Sequence, residues 1–251
     1  MTKLIYSVLI ILLFQSCSTY APLQSPRIVD GINCGTYFGY GKQEMVYHED
    51  SLGDLSTGPF DWNTTFSKGF KNRFEITGGV IPFLVFWSID FGTKIRLFSL
   101  GNSTFSIFSN GRGILSFSDF GPIIARYNIG PILGYVANKE LDLEIILSPS
   151  FCNSFYQINT YKQSSEDYID LHWISLDAVN KSIDITGGII SKPFFKANII
   201  RISFGAIYRY PLDLKYSISN KFDNSLSSKN MEFINKWYIY AGVYITGIKR
   251  N

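Results

Sequence analysis

From Trp87 to Leu97 the side chains alternate without a break, with Trp87, Ile89, Phe91, Thr93, Ile95 and Leu97 on one face and Ser88, Asp90, Gly92, Lys94 and Arg96 on the other. Successive side chains of an extended chain point to opposite faces, so a period of two marks a strand with one apolar and one polar side. The same alternation sets Ile200, Ile202, Phe204, Ala206 and Tyr208 against Arg201, Ser203, Gly205, Ile207 and Arg209, and Leu141, Leu143, Ile145 and Leu147 against Asp142 and Glu144. Ten such segments are expected, near 32–41, 70–80, 85–98, 103–117, 121–136, 140–149, 167–176, 182–190, 197–209 and 234–247. The stretch "FCNSFYQINTYK" from Phe151 either extends the sixth strand or forms one of its own, and the longest polar intervals are 42–69 and 211–233. No segment reads as a second domain. Helical spans are excluded past residue 16, because the longest apolar stretch there, from Gly121, is interrupted by Arg126 and Asn128.

The start of the chain follows another rule. Leu4 to Phe14 is an apolar run preceded by Lys3, too short for a helix that needs ~20 residues to cross a bilayer. A positive start, a short apolar segment and a small residue before the cut, here Ser16, describe a signal peptide over residues 1–16. "LLFQSC" resembles a bacterial lipoprotein signal, and the resemblance implies cleavage before Cys17, diacylglycerol on its thiol and acylation of the new amino group. The alternative is an ordinary signal cut nearby. Several acyl chains, at ~0.8 kcal/mol per buried methylene, anchor a chain firmly, and residues 17–31 then form a lipid-anchored linker.

Removal of residues 1–16 leaves 22 basic against 20 acidic residues, a near-neutrality that argues against nucleic acid or another polyanion as partner. Cys34 and Cys152 are expected as separate packed side chains, although an oxidising compartment would allow them to pair. No CxxC or Cys/His spacing marks a metal site, and neither metal nor cofactor is expected. One internal echo stands out: "FEITGGVI" at 74–81 and "IDITGGII" at 183–190. It arises either by chance or from two strands that run the same way and end at one rim.

Alternation alone fits a soluble lipocalin-like barrel, greasy inside, or a membrane barrel, greasy outside. Three features favour the membrane. Aromatics make up 16% of the residues and crowd segment ends such as "TYFGYG" and "KWYIYAGVY", Gly and Ser are frequent on the polar face, and the leader directs export. The pattern resembles the small bacterial outer-membrane barrels of the OmpA/OmpX type across residues 32–251. That resemblance implies an all-β, antiparallel up-and-down transmembrane β-barrel of about ten strands, with eight to twelve possible. It also implies the outer membrane as location, outer-membrane lipid as surroundings and the barrel-assembly machinery as a partner.

In such a barrel the polar faces line the lumen. Glu75, Asp90, Asp142, Glu144, Asp170 and Asp184 then oppose Lys94, Arg96, Arg126, Arg201 and Arg209, with His172 beside Asp170, and the signs nearly cancel. Barrels of about eight strands are filled by their own side chains, while open channels need ~16 to 18, so a lumen closed by ion pairs is expected. The expected role is structural or in surface interaction, with the loop partner unspecified. The alternatives are a narrow transport pore, a lipid-modifying barrel enzyme or a soluble ligand-binding lipoprotein. For an enzyme, Asp170 and His172 are the only base-and-orienter pair on a strand, and no serine supports them at a fitting spacing, so no catalytic residues are assigned. His48, among Glu44, Glu49 and Asp50, reads as part of a solvated loop.

Overall fold

A computed structural model describes residues 25–40, 44–46, 55–56, 60–82, 86–116, 123–163, 171–192, 200–220, 232–233 and 237–248. The strands are β1 (Gly31–Tyr40), β2 (Glu44–Val46), β3 (Leu55–Ser56), β4 (Phe60–Phe70), β5 (Phe74–Pro82), β6 (Phe86–Leu100) and β7 (Ser103–Ser116), followed by β8 (Ile123–Asn138), β9 (Leu143–Gln163), β10 (Leu171–Ser191), β11 (Ile200–Asn220), β12 (Glu232–Phe233) and β13 (Trp237–Ile248). Ten of them close into one antiparallel barrel in the order β1-β13-β11-β10-β9-β8-β7-β6-β5-β4. Each barrel strand pairs with its sequence neighbours, and β1 pairs with β13 to remove both edges. Closure gives each barrel strand a partner on both sides, the condition for strands to sit in hydrocarbon.

The faces are inverted relative to a soluble barrel. Phe91, Leu97, Ile145, Phe204 and Ile239 are exposed on the outer wall, whereas Glu75, Lys94, Ser106, Glu144, Asn180 and Ser203 are buried inside. A continuous outward apolar belt around a polar interior is stable only in a lipid surround, which sets aside the soluble lipocalin-like alternative. At its margin the belt turns amphipathic: the Lys68 ammonium lies 5.2 Å from the Phe70 ring centroid, an apolar stem with a polar head.

Tight turns gather at one end of the barrel. The β4–β5 turn has Lys71 and Asn72 at φ 48° and 52°, with the Arg73 N–H donating to the Phe70 carbonyl at 3.0 Å. Two left-handed residues are what the twist-matched hairpin turn requires. The opposite end carries the two longest connections, β1–β4 and β11–β13, and there the segments after β1 and after β11 meet in a small sheet of order β12-β2-β3. The wall is uneven in height. β9, β10 and β11 each run 21 residues, about twice the ~9–11 needed to cross a bilayer. Exposed apolar positions on these strands include Ile145, Leu147, Phe151 and Phe155 on β9 and Val179, Ile183, Ile185 and Ile189 on β10.

The strand number matches expectation through two offsetting differences. β4 falls inside the interval 42–69 read as loop, although "FDWNTTFSKGF" sets Phe60, Trp62, Phe66 and Phe70 against Asp61, Asn63, Thr65, Ser67 and Gly69. The segments 167–176 and 182–190 are one strand, β10, since Asp177–Lys181 reads as a polar turn but continues the ladder. "FCNSFYQINTYK" extends β9. The interval 211–233 also shrinks, because β11 continues to Asn220 through Pro211, which sits at the register irregularity opposite Ser182, where a missing N–H costs least. The echo does not mark strands that run alike: β5 and β10 are the third and eighth barrel strands and run in opposite directions. What the two copies share is a face, with Glu75 and Asp184 both turned into the lumen. Cys34 and Cys152 are unpaired, Cys152 being fully buried.

Candidate functional site

The lumen holds the chemistry, and strand register decides which charges meet. Three acid–base pairs sit directly opposite one another on neighbouring strands: Glu75 with Lys94, Asp90 with Arg112, and Asp184 with Arg209. The Lys94 ammonium lies 3.1 Å from Glu75 Oε1. Arg112 grips Asp90 through Nε and through Nη2, the latter at 2.7 Å. Arg209 donates from Nε and Nη2 to the two oxygens of Asp184, both at 3.0 Å, and Arg126 reaches across β9 to the same carboxylate. Ser182 Oγ donates to Asp184 Oδ1 at 3.0 Å. One carboxylate thus holds two guanidiniums in a site where all three residues are buried.

A second network closes the turn end, and it involves residues that precede β1. Ser25–Asp30 forms a strap across the mouth of the barrel. Pro26 and Ile28 are buried. Ser106 Oγ donates to the Pro26 carbonyl at 2.6 Å, Lys94 Nζ donates to the Ser25 carbonyl at 3.0 Å, and Ser25 Oγ donates to Glu144 Oε2 at 2.7 Å. Arg27 bridges Asp142 Oδ1 at 2.6 Å and Glu144 Oε2 at 2.9 Å, while Arg201 takes the other Asp142 oxygen at 2.8 Å. Burial alone would pull the Arg27 pKa down, but Glu144 and Asp142 outweigh it and hold the guanidinium above its usual value. Asp30 and Asn72 lock the strap to the β4–β5 turn by reciprocal bonds of 2.6 and 3.2 Å. Two glycines make room: a Cβ on Gly134 would lie 2.5 Å from both Pro26 Cγ and Glu144 Oε1, and one on Gly69 would strike the Val29 carbonyl.

Between these charged layers the lumen holds an apolar cluster beside the small buried polar side chains Ser148, Thr186 and Ser203. Phe108, Ile132, Ile146, Ile190 and Ile207 form a buried cluster with Tyr238 and Tyr240. The Tyr238 and Tyr240 rings are stacked with centroids 6.3 Å apart, and they lie where a Cβ on Gly39 or Gly205 would be. Glycine on the facing strand lets a large ring lie flat against the wall.

Of the residues expected in the network, Glu75, Asp90, Lys94, Arg126, Asp142, Glu144, Asp184, Arg201 and Arg209 lie in ion pairs. Arg96 shares the inward face but makes no ion pair with a described carboxylate; it sits beside a register irregularity, where its N–H donates to the Arg73 carbonyl at 2.8 Å. His172 is placed on β10 opposite Lys162, with its side chain outside the described residues, as are Asp170, Cys17 and His48. Sequence reasoning missed Arg112 and Arg27. Arg112 has the parity of the inward residues Ser106 and Phe108, a usable signal obscured by the glycines of "SNGRG", whereas Arg27 lies before any periodic segment and carried none.

No protein-family model matches the chain, and no curated protein sequence matches it. Solved structures do. The crystal structure of the outer membrane protease OmpT from Escherichia coli superposes with a TM-score of 0.52 at 11% identity, over 92% of this chain and all of that one. Neisserial surface protein A (NspA) matches with a TM-score of 0.36 at 10% identity, over 87% of this chain and 99% of its own. The first likeness is one of fold: the chain is a closed, ten-stranded barrel of the outer-membrane type.

Proposed function

We propose that this chain is a closed outer-membrane barrel lipoprotein with a structural or surface-interaction role, the loop-end rim being its working surface and the lumen a filled core. The observation that carries this reading is the succession of layers inside the barrel: the Arg126–Asp184–Arg209 network, the apolar cluster around Ile132 and Ile207, and the strap clasped by Asp142 and Glu144. Ions crossing an interior filled by buried side chains must shed water at high cost. Purified protein in planar bilayers is therefore expected to give no steady conductance. A stable, ohmic, size-selective current would favour the transport alternative.

With the turn end facing the periplasm, the tall β9–β11 wall and the small β12-β2-β3 sheet stand on the cell surface, as long outer loops do in such barrels. Lipid on Cys17 anchors the chain to the inner leaflet beside that mouth. The intact mass of membrane-extracted protein should show a chain that begins at Cys17 and carries acyl groups; an unmodified terminus elsewhere would remove the anchor from this reading. No catalytic role is proposed. OmpT is a protease, but the likeness to it, at 11% identity, is of fold, and Asp170 with His172 lacks a supporting nucleophile in the sequence.

A further inference from the structure

We propose that a cavity between the strap and the wall formed by β1, β4 and β5 is a binding site for a tetrahedral oxyanion of the size of inorganic phosphate. The cavity is about 70 Å³, enough for a small ion. Arg27, Lys94 and Arg201 present three cations to it against the single carboxylate of Glu75, which is already engaged by Lys94. Asp142 and Glu144 do not line it. On the facing wall Thr65, Ser67 and Thr77 add hydroxyl donors.

The arginines supply the second, independent observation. Arg27 and Arg201 hold opposite oxygens of Asp142, so the two guanidiniums are brought close, and their charges repel one another. The Nε–H of each is buried and has no acceptor among the described residues. Buried donors without acceptors are costly, and an oxyanion bridging two guanidiniums would meet that need with charge-assisted bonds. Donors come from the strap on one side and from strand hydroxyls on another, which suits a tetrahedral acceptor better than a planar carboxylate. Because Arg27 belongs to the strap and Arg201 and Lys94 to the wall, a bound ion would tie the strap to the barrel.

The test is the urea unfolding midpoint of the refolded full chain in detergent, measured in phosphate and in chloride at fixed ionic strength, with phosphate affinity read from the concentration dependence. Phosphate should raise the midpoint of the unmutated protein where chloride does not. Arg201→Gln should weaken phosphate about tenfold, the loss of one charge-assisted bond. Since Arg201 also pairs with Asp142, a second variant, Thr77→Val, keeps every charge and removes only a lining hydroxyl; it too should weaken phosphate. Equal midpoints in phosphate and chloride, or a phosphate effect undiminished in both variants, would overturn the site. The measurement is independent of conductance, so it stands or falls apart from the closed-lumen reading.

Discussion

Replacement of Asp184 by alanine is expected to lower the unfolding free energy of the barrel by about 3–5 kcal/mol, the range for removing one partner of a buried ion pair. Asp184 is the only carboxylate that either Arg126 or Arg209 contacts in an ion pair among the described residues. Both arginines are almost wholly buried, so its loss removes the counter-charge that the two guanidiniums share where little water can reach them. The effect should appear in urea titrations of the refolded protein and as a lower temperature for loss of the compact, heat-modifiable band on gels. Two controls separate this cause from generic damage. Converting Asp184, Arg126 and Arg209 together to apolar residues of similar volume should restore much of the loss, because no charge is then stranded. Arg96→Ala, on the same inward face but outside the ion pairs, should change stability by no more than about 0.5 kcal/mol. A large effect at Arg96 with a small one at Asp184 would mean that charge pairing does not hold the lumen together.

The contrast between Arg96 and Arg209 shows how far the sequence could be read. Both have the parity of inward residues, and parity is legible because a barrel in lipid repeats its contrast every second residue. Partnership is not, since it depends on register. Asp184 faces Arg209 because β10 and β11 pair as they do, with an irregularity at Lys181 and Ser182 that shifts every later partner. Arg126 reaches a carboxylate 58 residues away across an intervening strand, a distance that no local pattern encodes. β4 was legible by the same parity, with Phe60, Trp62, Phe66 and Phe70 against Asp61, Asn63, Thr65, Ser67 and Gly69, and only Thr64 and Lys68 interrupt its apolar face. Inward positions such as Ile132, Ile146 and Ile190 broke the rule of a polar interior, because a filled lumen packs like a core and selects for volume as well as polarity. The strap has no period at all. It is held by carbonyl and carboxylate contacts that only the closed barrel brings to one place.

The same strap gives the second large effect. Gly134→Leu is expected to cost about 3 kcal/mol, combining overpacking at about 1–3 kcal/mol with lost burial of Ile28 at about 1.5–3 kcal/mol, since the two losses overlap. A Cβ there meets Pro26 on one side and the Glu144 carboxylate on the other, and neither can retreat easily. The proline ring is stiff, and Glu144 is held by Arg27 and Ser25. The strap must therefore leave, taking Arg27 away from Asp142 and exposing the buried Ile28. Hydrogen exchange should report this locally: the amides of residues 27–30 should lose protection in the variant while those of β9 and β10 keep theirs. Gly113→Ala is the matched control, because a Cβ at that strand position meets nothing within 4 Å and alanine in a strand costs less backbone entropy than glycine. It should be neutral or slightly stabilising. If Gly134→Leu left the strap amides protected, Ser25–Asp30 would be held by something other than the fit between Pro26, Gly134 and Glu144, and the turn end would not owe its closure to this segment.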